Sequence, residues 1–70
     1  MKDLFSGYKY KVMNIDGLAD YVVVALYESI SDAKGYEIRT EFIHCVAVQE
    51  NEDYEDAALS IYYDKVRYKQ

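Results

Sequence analysis

The chain of 70 residues contains no proline and no tryptophan, and Cys45 is its only cysteine. One cysteine excludes an intramolecular disulfide, and Cys45 with the single histidine, His44, falls short of the about four ligands of a structural zinc site. We therefore expect no metal and no cofactor. A lone cysteine is typical of a reducing compartment, so the expected location is the cytoplasm. A chain this short that lacks such supports needs a tightly packed core or a partner subunit.

Long apolar runs are missing as well. No stretch approaches the about 20 apolar residues of a membrane helix, and the first residues lack the apolar segment of a signal peptide. The longest apolar run, residues 21–27, has the length of a strand. We expect one domain over residues 1–70 that is a complete gene product and makes no membrane contact.

Basic residues are few beside the acidic ones, and the net charge is −5. Residues 16–56 carry a net charge of −9, whereas residues 1–15 and 57–70 each carry +2. The phosphate backbone of a nucleic acid repels such a chain on average, which makes a basic protein the expected partner. The sequence also has no glycine-rich phosphate loop, so nothing indicates nucleotide binding.

Turn signals are scarce because the chain has only three glycines, and Asp16-Gly17 is the clearest of them. It predicts a two-residue type I′ turn between strands at residues 8–15 and 18–28, with Ile15 opposite Leu18 and Val12 opposite Tyr21. The alternative is a helix over residues 18–34, capped by Asp16 and ended by Gly35, but three consecutive valines favour a strand. In the hairpin, one face would carry Tyr8, Tyr10, Val12, Tyr21, Val23, Ala25 and Tyr27.

Residues 36–49 alternate as a third strand, with positions 36, 38, 40, 42, 44, 46 and 48 on one face, after a loop over residues 29–35. Asp53 is the predicted N-cap of a C-terminal helix, with Glu55 and Asp56 in its first turn. The expected fold is therefore α+β, a three-stranded antiparallel meander with one C-terminal helix packed on it. Both faces of the first hairpin are apolar and one helix covers only one, so we expect a homodimer. A narrow polar stripe on the helix would consist of Asp56, Ser60, Asp64 and Arg67.

Tyrosine is the residue that this chain has in plenty, with nine in 70. Its apolar ring and polar tip suit surfaces that are buried in some states and wet in others, as at interfaces. The acidic run at residues 50–56 is the second unusual feature, and it lacks the spacing of a calcium-binding loop. The run either complements the helix dipole or forms a patch that imitates phosphates and docks a basic protein. The candidate partner-binding residues are Glu50, Glu52, Asp53, Tyr54, Glu55 and Asp56 of the acidic run, and Tyr8, Tyr10, Tyr21 and Tyr27 of the hairpin.

Catalysis has no support in the sequence. His44 and Cys45 are neighbours in a strand and point to opposite faces, so they cannot form a nucleophile–base pair. We expect a core histidine and a buried thiol, and not an enzyme.

The leading hypothesis is a non-enzymatic inhibitor or regulator of a larger basic protein, including one that handles nucleic acid. Small acidic chains of phages and mobile elements work in this way, by analogy alone. One alternative is a structural homo-oligomer with a tyrosine-rich interface and no external client. Another is a single-strand nucleic-acid binder that uses Tyr8, Lys9, Tyr10 and Lys11, although a strand would place these rings and ammonium groups on opposite faces.

Overall fold

The computed structural model describes residues 1–5, 7–17 and 19–69, apart from the side chain of Lys69. Within these residues the chain forms one antiparallel sheet in which each strand pairs with the next in sequence. The α+β fold is confirmed, with four strands where three were expected. None of the described helices has the length and apolar character needed to span a membrane. The elements are β1 (Lys2–Phe5), β2 (Tyr8–Asn14), β3 (Tyr21–Ser31), β4 (Glu37–Gln49), α1 (Tyr54–Lys65) and a short 3-10 helix (Arg67–Lys69).

Strand β1 is the element that the sequence pattern did not predict. It has four residues, two of them charged, and its pairing with β2 is irregular between Asp3 and Phe5. Leu4 packs against the buried core, which gives the short strand its anchor. The local signal that could have indicated β1 is Gly7 before β2, since its φ of 85° is typical of a glycine in a turn.

The predicted register of the first hairpin is wrong. The connection between β2 and β3 spans residues 15–20, and Asp16 lacks the positive φ of a type I′ turn, because Asn51 is the one described non-glycine residue with φ above zero. Val12 pairs with Val24 instead of Tyr21, a shift of three residues. An odd shift moves every side chain of a strand to the other face. The predicted pair of Ile15 with Leu18 lies outside the described residues.

The corrected register places Val22, Val24 and Leu26 of β3 on the face under α1, which we name the covered face. Val24 and Leu26 have no exposed surface, and Ala58 and Ile61 of α1 are also buried there. Tyr10 of β2, 6% exposed, completes this core. Fully burying a side chain such as that of Leu26 contributes about 1.5–3 kcal/mol, so the covered face makes a large contribution to the stability.

The other face of the sheet has no described segment packed on it, and we name it the open face. A bulge in β4 places Phe42 on the open face, which the sequence pattern did not predict. The bulge is seen in the register, because Leu26 pairs with His44 while Tyr27 pairs with Phe42. The single alternating face expected for residues 36–48 is therefore wrong, with Phe42 on the open face and His44 on the covered one. The open face carries Lys9, Lys11, Met13, Tyr21, Val23, Ala25, Tyr27, Phe42, Cys45 and Ala47.

The β3–β4 hairpin is longer than the rest of the sheet. Strand β2 begins at Tyr8, opposite Glu28, so residues 29–40 extend past it as a ribbon of two strands in a molecule 43 Å long. Its turn is held by the Asp32 carboxylate, which accepts from the backbone N–H groups of Lys34 and Tyr36 at 2.9 and 3.0 Å. Strand β3 rules out the alternative helix over residues 18–34.

Helix α1 begins as predicted. The Asp53 side chain caps it by accepting from the backbone N–H of Asp56 at 3.2 Å, and Glu55 and Asp56 lie in the first turn. Asp56, Ser60 and Asp64 of the predicted polar stripe are exposed on α1, because the opposite side of this helix packs on the sheet, whereas the fourth member, Arg67, lies beyond α1 in the 3-10 helix. The Asp53 cap and the packing of α1 on the covered face together set the position of the acidic residues.

Candidate functional site

His44 and Cys45 are placed on opposite faces of β4, as predicted, since His44 pairs with Leu26 and Cys45 with Ala25. The expected burial of both is wrong. Cys45 is exposed on the open face, and His44 is half-buried at the edge of the covered face. In the described part of the chain, no three His, Cys, Asp or Glu side chains converge as metal ligands would.

The four candidate tyrosines do not form one surface. Tyr10 belongs to the core, and Tyr8 is half-buried with its ring centroid 5.0 Å from that of Tyr62. Burial raises the pKa of the Tyr8 phenol, and the nearby Glu28 and Tyr62 raise this pKa further. Tyr21 and Tyr27 lie on the open face, separated from the first two by the sheet. Only the second pair is placed to meet a partner while the fold stays intact.

The rings and cations of β2 are also separated by the sheet. Tyr8 and Tyr10 lie on the covered face, while Lys9 and Lys11 lie on the open one. The Lys9 ammonium forms an ion pair of 2.7 Å with Glu37. A strip of stacked bases with adjacent phosphate contacts needs both groups on one face, and β2 does not offer that arrangement.

The acidic residues of 50–56 are exposed, but Tyr54 has a structural position. Its hydroxyl accepts from the backbone N–H of Asn51 at 3.1 Å, and its ring packs against the core. Asn51 has a φ of 78°, a left-handed conformation that turns the chain between β4 and α1. Tyr54 therefore stabilises this turn, and the carboxylates beside it remain open to solvent.

An open groove of about 710 Å³ runs between α1 and β4, and we name it the acidic groove. Val46 and Val48 of β4 and Ala57 and Ile61 of α1 give it an apolar floor. Its polar side is formed by four carboxylates, and His44, Ser60 and Lys65 complete the lining. The four carboxylates are those of Glu52, Asp53, Asp56 and Asp64.

The structure thus divides the predicted acidic run. Glu52, Asp53 and Asp56 line the groove, whereas Glu50 and Glu55 do not. Asp64 joins the groove from the last turn of α1, and the sequence signal for it was the spacing of Asp56, Ser60 and Asp64 along one helix face. The part played by Val46 and Val48 had no sequence signal, since only packing brings β4 beside α1.

The charge of the groove is poorly neutralised. Lys65 lies 3.5 Å from Asp64, and in the described residues the other ion pairs join Lys9 to Glu37 and Arg39 to Glu41, away from the groove. Within the described part of the chain, the Asp53 carboxylate accepts its capping hydrogen bond and forms no ion pair. Carboxylates held together beside an apolar surface produce a negative potential that attracts a cation.

No protein-family model, curated protein or solved structure matches this chain. Among the described residues, the acidic groove and the open face are two surfaces that the fold leaves accessible to a partner.

Proposed function

We propose that the chain is a non-enzymatic binding module of the cytoplasm that docks a basic segment of a larger protein in the acidic groove and so inhibits or regulates that protein. The observation that supports this proposal is the position of the carboxylates. Four of them lie together beside an apolar floor in one groove. The apolar floor would contribute affinity, and the carboxylates would contribute association rate and specificity.

Helix stability explains only part of this arrangement. Acids in the first turn of a helix complement its dipole, which accounts for Glu55 and Asp56. Asp64 lies at the opposite end of α1, where the dipole disfavours a negative charge. Asp64 nevertheless extends the carboxylate row of the groove to the last turn. A ligand with several cations would stabilise this row as a whole.

The chemistry of the row favours one class of partner. A line of carboxylates on an apolar surface offers the charge of a phosphate backbone, and a protein that handles nucleic acid presents lysines and arginines to such a backbone. A segment of that kind would fill the groove in place of its nucleic acid. The partner is therefore proposed to be a basic, nucleic-acid-handling protein.

A charge-matched pair of variants tests the proposal. The probe is a fluorescent ten-residue peptide of alternating lysine and valine, named the alternating peptide, titrated by anisotropy at low salt. Asp56→Lys with Asp64→Lys removes two groove carboxylates, and the control Glu50→Lys with Glu55→Lys changes the net charge equally outside the groove. We expect the groove variant to weaken binding about tenfold or more and the control to weaken it about twofold, because close charges act more strongly than screened ones. Equal losses in both variants, or no binding by the wild type, would contradict the proposal.

The open face supports a second candidate, a structural homo-oligomer. Tyr21 is 41% exposed and Phe42 58% exposed, and both lie on this face with Cys45 and Ala47. A second copy of the chain would bury this apolar surface by a two-fold contact. The open face and the acidic groove are separate, so a homodimer would keep both of its grooves available.

A further inference from the structure

We infer that the ligand of the acidic groove binds as an extended strand, which pairs with the outer edge of β4 and directs alternate basic side chains at the carboxylates of α1. This inference rests on the proposed function, and it adds the conformation and the sequence pattern of the ligand.

The first observation is the free edge of β4. In the described residues β4 pairs with β3 alone, and it is the last strand of the sheet. Every second residue of an edge strand directs its N–H and C=O groups away from its one partner. Apart from that pairing, the described backbone bond to β4 is the one that Glu52 N–H donates to Gln49 C=O at 3.3 Å. The edge beside the groove is therefore available for further hydrogen bonds.

The second observation is the difference between the two edges of the sheet. Edge strands are normally protected from pairing by shortness, charge, proline or a bulge. Strand β1 follows this rule, since it has four residues, carries Lys2 and Asp3, and is irregular before Phe5. Strand β4 has 13 residues, and its segment 42–48 has no acidic or basic residue other than His44 and no proline or glycine. Its two irregularities lie near Ile38 and Ile43, which leaves residues 44–49 regular.

The third observation is that this free edge and the groove coincide. His44, Val46 and Val48 on the covered face of β4 line the groove together with α1. A strand added about 4.8 Å beyond β4 would continue this floor, and its side chains on the covered face would meet the carboxylates of α1. Because side chains alternate, every second residue of the ligand would meet the carboxylates. Lysine or arginine fits those positions, and about three of them would lie along residues 44–49.

Charge decides against a second copy of the chain as the added strand. Two identical strands that pair antiparallel are related by a two-fold axis perpendicular to the sheet, so both copies of α1 would lie on the same side. The carboxylates of Asp56 and Asp64 would then face those of the partner copy across the new pairing. Like charges oppose such a contact, whereas a basic segment of another protein is complementary to it.

The experiment measures amide hydrogen exchange of the whole chain with the alternating peptide and with two control peptides. One control has the same composition in two blocks, five lysines followed by five valines. The other is the alternating peptide with every backbone nitrogen methylated, which keeps the side chains but removes the N–H donors. We expect the alternating peptide to slow exchange of outward-facing amides in residues 44–49, and both controls to bind about tenfold or more weakly, since the pairing hydrogen bonds or the register are lost.

The outcomes separate this inference from the proposed function. If the methylated peptide binds as tightly as its parent while Asp56→Lys with Asp64→Lys still weakens binding, the groove is a basic-ligand site but strand pairing is wrong. If the alternating peptide does not bind at all, both ideas fail. If β4 amides become protected at high protein concentration without any peptide, the edge pairs with a second copy and the inference is overturned.

Discussion

The two faces of the sheet are built from the same three long strands, and they differ because alternate residues differ. On the covered face the residues of β3 include Val22, Val24 and Leu26, which are all buried. On the open face its residues include Tyr21 and Tyr27, which are large, apolar in part and solvent-accessible. The comparison shows that the covered face is buried by packing within the chain, whereas the open face combines aliphatic residues such as Val23 and Ala25 with amphipathic rings that suit reversible contact with a partner.

The largest expected effect comes from damage to the covered face. Leu26→Ala should lower the free energy of unfolding by about 2–5 kcal/mol, because it leaves a cavity in a fully buried site. Val24→Ala and Val23→Ala remove the same atoms from opposite faces, and urea denaturation should show the greater loss for Val24. A greater loss for Val23→Ala would mean that the open face is the more tightly packed one.

The next effect concerns what covers the open face. We expect sedimentation equilibrium to detect a wild-type homodimer, and Phe42→Glu to raise its dissociation constant about a hundredfold by burying a charge in the contact. Cys45 offers an independent measurement, since its exposed thiol should react with a thiol reagent more slowly as protein concentration rises. Asp56→Lys, on the covered side, is the matched control and should leave the dimer unchanged. A wild-type monomer from micromolar to millimolar concentration would sink the homodimer proposal.

A smaller effect is expected at the start of α1. Asp53→Ala should cost about 1 kcal/mol of stability, because the backbone N–H of Asp56 loses its acceptor. Asp53→Asn keeps an acceptor oxygen and should restore most of that loss while removing one charge from the groove. Thermal unfolding of the two variants therefore separates capping from electrostatics, and equal destabilisation by both would show that the charge, not the cap, stabilises the helix.

The smallest effect is a pH dependence on the open face. The Glu37 carboxylate pairs with Lys9 at 2.7 Å and accepts from the Ser29 hydroxyl at 2.5 Å, and these two hydrogen bonds lower the pKa of Glu37 below its ordinary value. The same hydrogen bond to Glu37 raises the pKa of Lys9. Because the pKa of Glu37 is lower in the folded state, its stabilising contribution is complete above the unfolded-state pKa and is lost as the pH falls through the folded-state pKa. Because the pKa of Lys9 is higher in the folded state, its contribution is complete below the unfolded-state pKa and is lost as the pH rises through the folded-state pKa.

Glu37→Gln tests this pair. The stability difference between wild type and variant should be constant between the ordinary values of 4.5 and 10.5, and should shrink outside them. Because both groups are partly exposed, the difference should also decrease as salt is added. A difference that does not vary with pH from 3 to 11, in about 0.1 M salt, would show that the ion pair contributes nothing measurable.

The elements that the sequence predicted well are those with local causes. The start of α1 follows from Asp53 and the acids after it, and residues 36–49 alternate strongly enough to indicate β4. The register of β2 against β3 depends on the length of the connection over residues 15–20, and Asp16-Gly17 alone indicated a shorter turn. Strand β1 has too few apolar residues to show a pattern, and it is held by contact of Leu4 with a distant core.

Part of the candidate site was also predictable, because some of its features have local causes in the sequence. The exposure of Glu52 and Asp56 follows from their position at a helix start, whereas the groove needs Val46 and Val48 to lie beside α1. The bulge near Ile43 could not be read from composition, because a bulge depends on how two strands accommodate their twist. It is the bulge that places Phe42 on the open face and His44 in the groove.

The order of the strands has a consequence for how the chain folds. Each strand pairs with its neighbour in sequence, so no pairing requires a long loop to close first, and such local topology favours rapid folding for a β-rich chain. Helix α1, however, follows the whole sheet in sequence. During synthesis the four strands can assemble before α1 exists to cover Val24 and Leu26, and β4 then offers an unprotected edge beside a bare apolar face. The interval before α1 docks is therefore the stage at which this chain is most exposed to aggregation and to capture by a chaperone.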